Sequence, residues 1–324
     1  MDNKVTRNKP SLEKRIGLNK SENVIKTGAV KAAGCSVLKV IDSTETTEGE
    51  GFVVHRPFPT RTFDYFDPFL MLDEMGPMDL KPGEAKGAPD HPHRGFETVT
   101  YMLEGKFRHR DSQGHAGTLA PGDVQWMTAG SGVVHSEMPD PEFLQQGGRL
   151  HAFQLWVNLP KKDKMTKPRY QELSNSKIPT KTNPEGDVTV RVIAGDALGA
   201  QAPTETKTPI MYLHYLLKPG AKFLQDVRVD YNVFAYVISG TGIFGDNLQL
   251  ARTGQMVLFA CDGESVLIEN HDNHSTLELL LIGGVPLGEP VARYGPFVMN
   301  NSQELNQAMD DYRNGLMGSI RKFE

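Results

Sequence analysis

The chain has 324 residues, 38% of them hydrophobic, with 35 Lys and Arg against 40 Asp and Glu for a net charge of −5. That length suits about two domains, the negative balance argues against a body that grips nucleic acid by neutralising phosphates, and no run of 18 apolar residues is present to span a membrane. Cys35 and Cys261 are too few for a disulfide scaffold and lack the paired spacing of a thiolate zinc site, so a reducing compartment is expected.

Residues 1–35 carry eight basic and three acidic side chains, which makes this segment +5 and leaves the body at −10, with 27 basic and 37 acidic residues. The segment has no aromatic residue and few large apolar ones, so it is expected to be a disordered basic tail. It lacks the apolar core of a secretory signal. Its three acids count against an organelle transit peptide without closing off targeting. From Cys35 onward the text changes to short β-branched and aromatic runs such as Thr98-Val99-Thr100-Tyr101-Met102, punctuated by Gly, Pro, Asp and Asn, as in an all-β sandwich or barrel. Asp67 to Leu72 reads equally as helix or strand.

Next in the chain comes Asp90-His91-Pro92-His93-Arg94-Gly95-Phe96-Glu97. Alternate side chains of a strand share a face, so His91 and His93 project together, about 6.5 Å apart along the backbone. Glu97 has the same parity and would face the same point on an unbroken strand, although Gly95 can bulge the chain and re-aim it. Forty-two residues beyond His93, His135 and Glu137 repeat the two-residue spacing. Three imidazoles and a carboxylate make a mixed nitrogen and oxygen donor set, suited to iron or another divalent transition metal. Glu137 is ranked as the carboxylate ligand and Glu97 as its rival. The remaining histidines, His55, His109, His115, His151, His214, His271 and His274, are expected to be surface or hydrogen-bonded residues.

The text around these residues recurs. Tyr101 to Gly105 is followed by Leu119-Ala120-Pro121-Gly122, and Tyr236 to Gly240 by Leu250-Ala251-Arg252-Thr253-Gly254, so one β-unit occurs twice. Lys-rich, Pro-flanked Leu159 to Pro168 is the expected connection, giving units over 36–165 and 166–324. At the matching positions the second unit has Asp226, Arg228, Leu267 and Glu269, so packing, closure of the first site or partner contact is its expected role. The chain closes with an amphipathic stretch in which Ser302 can cap a helix and Leu305, Met309 and Tyr312 share a face.

Asp90 to Gly105 (DHPHRGFETVTYMLEG), Gly122 to Glu137 (GDVQWMTAGSGVVHSE) and Gly288 to Asn300 (GEPVARYGPFVMN) resemble the pirin family of the cupin superfamily, a likeness that runs roughly from Ser36 to Arg313. The resemblance implies a bicupin of two jelly-roll-like β-barrels with a short C-terminal helix. It also implies one Fe(II) in the N-terminal barrel held by His91, His93, His135 and Glu137, with other divalent metals as substitutes. The implied activity is that of quercetin 2,3-dioxygenase, which opens a flavonol ring with O₂ and releases carbon monoxide, Glu137 serving as the base. The alternative it implies is a redox-responsive, iron-binding regulatory protein that contacts transcription factors or other proteins in nucleus or cytoplasm. Two β-units of this length bury an adequate core alone, so a monomer is expected.

Overall fold

The β-branched runs become strands in a computed structural model of the chain, which describes residues 34–260 and 262–320. The expected tail lies outside the described residues up to position 33. In the first half a seven-stranded antiparallel sheet runs Arg169–Leu173, Val124–Thr128, Phe96–Glu104, Gly148–Asn158, Phe69–Leu80, Phe52–Phe58 and Thr44–Glu48. It is faced by a four-stranded sheet of Ala88–His93, Val133–Pro139, Phe107–Asp111 and Ala116–Leu119. The second half repeats the plan. Its seven strands are Val37–Asp42, Gln255–Phe259, Asn232–Ser239, Leu277–Gly284, Ile210–Leu217, Val188–Ala194 and Thr180–Thr182, and its four are Lys222–Asp226, Ser265–Asn270, Thr241–Phe244 and Gln249–Arg252. These are the two jelly-roll-like barrels of the expected all-β bicupin. The repeat is visible in backbone conformation too, since Gly105 and Gly240 turn with φ of 96° and 89° at matching strand ends.

The ambiguous Asp67 to Leu72 enters the strand Phe69–Leu80. The C-terminal helix spans Ser302–Arg313, but its cap is Asn301, whose side chain accepts from the Glu304 N–H at 2.9 Å, and not Ser302. A short helix at Pro141–Gln146, capped by Asp140, adds to the elements expected from the sequence. Among the described residues no helix is long and apolar enough to cross a membrane.

The halves exchange segments across the expected boundary at 165/166. Val37–Asp42 pairs with Gln255–Phe259 in the second barrel, whereas Arg169–Leu173 pairs with Val124–Thr128 in the first. The C-terminal segment also returns: Phe297 bridges to Arg94, and Phe297, Met299, Leu305, Ala308 and Met317 pack with Val134 of the first barrel. The two interiors differ. That of the second barrel is packed with Val190, Val192, Leu213, Tyr215, Ala235 and Val237, all fully buried, while the first keeps a cavity.

Between the barrels lies a shared apolar core in which the Phe234 ring sits 5.7 Å from Phe58 and 5.4 Å from Phe69. Two polar clasps cross it, built from the same residue of each repeat. Tyr101 donates to His214 Nδ1 at 2.8 Å and His214 Nε2 to Glu278 at 2.9 Å; reciprocally, Tyr236 donates to Glu74 at 2.7 Å, which also accepts from His151 Nε2 at 2.9 Å. A buried acceptor deprived of its donor costs about 1–3 kcal/mol. Tyr236→Phe, which strips a buried carboxylate, is therefore expected to cost about 2–3 kcal/mol in urea unfolding, and Tyr101→Phe about 1 kcal/mol. Two variants as stable as the wild type would show the clasps to be energetically idle.

Candidate metal centre

The first barrel's cavity is where the spaced histidines converge. Ala88–His93 runs antiparallel to Val133–Pro139 with His91 opposite His135 and His93 opposite Val133, so strand parity and register bring three rings to one face. Their ring centres are 4.4 to 4.9 Å apart, and one nitrogen from each lies within 4.8 Å of the others. His91 Nδ1 donates to the Pro89 carbonyl at 2.7 Å. That bond fixes the neutral ring's proton on Nδ1 and leaves a lone pair on Nε2, which faces His93 Nε2 at 3.1 Å.

Burial drives His93 and His135 well below the usual imidazole pKa, with the neighbouring imidazoles adding to it, so both rings are neutral, the form that ligates metal. His135 is completely buried, and neither of its ring nitrogens has a hydrogen-bond partner. Buried polar atoms are rarely left so. Three imidazoles crowded together, one of them with neither ring nitrogen partnered, fit a divalent transition metal.

Of the four expected ligands the structure gathers three. Glu137 follows His135 across a register shift that sets it opposite Ala88, and its carboxylate is held apart from the imidazole trio. It accepts from Thr100 Oγ1 at 2.9 Å and from Gln154 Nε2 at 3.3 Å while still lining the same cavity. The rival, Glu97, is removed from the centre altogether. Gly95 turns with φ of 88°, and the next strand, Phe96–Glu104, belongs to the opposite sheet. There Glu97 is buried and accepts from Thr128 Oγ1 at 2.6 Å, and burial pushes its pKa up. Any Cβ at residue 95 would collide with the Val298 carbonyl, so this turn needs glycine.

The cavity measures about 590 Å³ and is walled by Trp156, whose ring lies 4.3 Å from Phe96 and 5.3 Å from His93. Thr100, Gln154 and Trp156 were not singled out in the sequence. Their signal was polar residues at alternate positions of two adjacent strands, with Thr100 paired to Gln154 and Thr98 to Trp156. Most of the histidines set aside as ordinary behave so, since His109, His115, His151 and His214 each meet a carboxylate.

Comparison with known proteins matches two family profiles, described as Pirin over residues 51–157 and as Pirin C-terminal cupin domain over residues 212–318. A pirin-like protein of Solanum lycopersicum is 45% identical over 285 residues, covering 88% of this chain and 94% of its own. Pirin of Homo sapiens is 44% identical, over 91% of this chain and 96% of its own. A crystal structure of quercetin 2,3-dioxygenase from Acinetobacter baumannii is similar with a TM-score of 0.81 and 34% identity, covering 89% of this chain and 99% of that one.

Proposed function

The chain belongs to the pirin family, and from that premise we propose that it is an iron-dependent dioxygenase that opens a flavonol-type ring with O₂ and releases carbon monoxide. His91, His93 and His135 would hold Fe(II), and Glu137, held apart from them by Thr100 and Gln154, would serve as the base. The observation that carries this reading is three imidazoles drawn together, His135 with neither ring nitrogen partnered and His91 and His93 lining a cavity that Trp156 and the Glu137 carboxylate also line. The likeness to the Acinetobacter baumannii quercetin 2,3-dioxygenase supports it.

Bound there, Fe(II) supplies a Lewis acid for the flavonol hydroxyl and a redox partner for O₂. The protein supplies the rest. Trp156, backed by Phe96, offers a flat apolar wall against which aromatic rings lie. Glu137 accepts the hydroxyl proton, and Thr100 and Gln154 aim its carboxylate so that no side-chain search precedes the transfer. The barrel shields two of the three imidazoles from bulk water, His93 and His135 being 2% and 0% exposed.

The test is flavonol consumption and carbon monoxide release by Fe(II)-loaded protein given quercetin in air. Glu137→Gln is expected to lower turnover by about 10²-fold or more, the scale of a lost general base, while the three histidines still retain iron. Turnover no faster than that of free iron, or full turnover after the substitution, would overturn the assignment.

A further inference from the structure

The cavity contains two guanidinium groups in different states. Arg56 is paired with two carboxylates: Nε and Nη2 meet both oxygens of Asp73 at 2.6 Å, and Nη2 also meets Glu48 at 2.6 Å. Arg293, from the C-terminal strand Ala292–Tyr294, forms no ion pair among the described residues. It lies over the Trp156 ring with its guanidinium carbon 4.9 Å from the centroid, and one N–H donates to the Leu70 carbonyl at 3.2 Å. A guanidinium has five donors in a planar fork, so most of those on Arg293 are left for whatever fills the cavity it lines. Burial, and then the adjacent Arg56, pull its pKa down. The carboxylates of Asp64, Asp73 and Glu48 offset these two penalties on the charge only in part, which leaves relief for an anion in the cavity to supply.

We propose that Arg293 is a specificity residue that selects aromatic substrates bearing a carboxylate, gripping that group through its fork while the rings lie against Trp156 and the opposite edge of the molecule faces His91 and His93. The assignment rests on the cavity being the substrate site. It predicts more than a neutral flavonol requires, since a neutral ring would leave the fork unpaired. The competing role is a latch that ties the C-terminal segment to Leu70, and a neutral amide at 293 can keep that bond.

Calorimetric titration of the full chain with 2-naphthoate and with its neutral isostere 2-naphthamide separates the two, using metal-free protein so that no iron can bind the carboxylate, and Fe(II)-loaded protein in parallel without oxygen. Wild-type metal-free protein is expected to bind the naphthoate roughly tenfold more tightly than the amide, the scale of a charge-assisted bidentate pair. Arg293→Gln should bring the two ligands to about equal affinity. Arg293→Lys, which keeps the charge and loses the fork, should fall between them and serves if the glutamine variant does not fold. Equal affinities in the wild type, a preference that survives either substitution undiminished, or no naphthoate binding by either form would overturn the proposal. The outcome is independent of turnover: a failure to consume quercetin leaves the carboxylate preference standing, and turnover without the preference keeps the dioxygenase and discards the role of Arg293.

Discussion

Replacing His135 by leucine is expected to stabilise the metal-free protein and to abolish its response to Fe(II). Two effects of opposite sign meet at this side chain. Without metal, both ring nitrogens are buried with no partner, and an unsatisfied buried polar group costs about 1–3 kcal/mol. Leucine fills comparable space without that cost, so the metal-free variant should gain about 1–3 kcal/mol in urea unfolding. With metal, the sign reverses: a ligand that binds only the folded state adds about 2.7 kcal/mol at a hundred times its dissociation constant, and a variant with two imidazoles in place of three forfeits most of that. The stability order of the two proteins should therefore cross when Fe(II) is added under anaerobic conditions. A leucine variant less stable than wild type without metal, and still shifted upward by Fe(II), would contradict the view that these rings are held for an ion.

The parity argument succeeded for His91, His93 and His135 because side-chain alternation is a local property that needs only an extended backbone, and the register between two adjacent strands did the rest. For Glu97 it failed at one residue. Parity holds only while the strand continues, and Gly95 ends it, since Val298, more than two hundred positions away, packs where a side chain would stand. Glycine was visible in the sequence, but its partner was not. The exchange of Val37–Asp42 into the second barrel was hidden for the same reason: edge strands choose partners by long-range pairing, which leaves no local mark. The Thr100–Gln154 support of Glu137 is intermediate, because both residues interrupt apolar strands and only the pairing shows that they meet. The C-terminal approach of Arg293 to the cavity belongs with the hidden features.

Lys164→Met is expected to cost about 2–5 kcal/mol and to loosen the metal centre, although composition reads this lysine as part of a polar connection. The side chain is 1% exposed, and its ammonium donates to the Gly95 carbonyl at 2.8 Å, Asn158 Oδ1 at 2.7 Å and the Val298 carbonyl at 2.9 Å. Burial draws its pKa down to about 8, so it remains charged at neutral pH with three donors for three acceptors. Against an ordinary 10.5, that displacement amounts to a penalty on the charged form of about 3 kcal/mol, which methionine would remove. Three orphaned acceptors at about 1–3 kcal/mol each outweigh the relief. The consequence for the metal follows from position, because Gly95 is two residues from His93 and the Val298 strand braces the turn between them. Groups that orient ligands without touching the ion typically change affinity about 10- to 100-fold, and Fe(II) affinity in the variant should fall within that range. A variant that unfolds at the same urea concentration as wild type and binds Fe(II) equally well would mean that the packing of Phe297, Met299 and Leu305 alone holds the C-terminal segment against the barrel, and that the buried ammonium is tolerated there without supporting it.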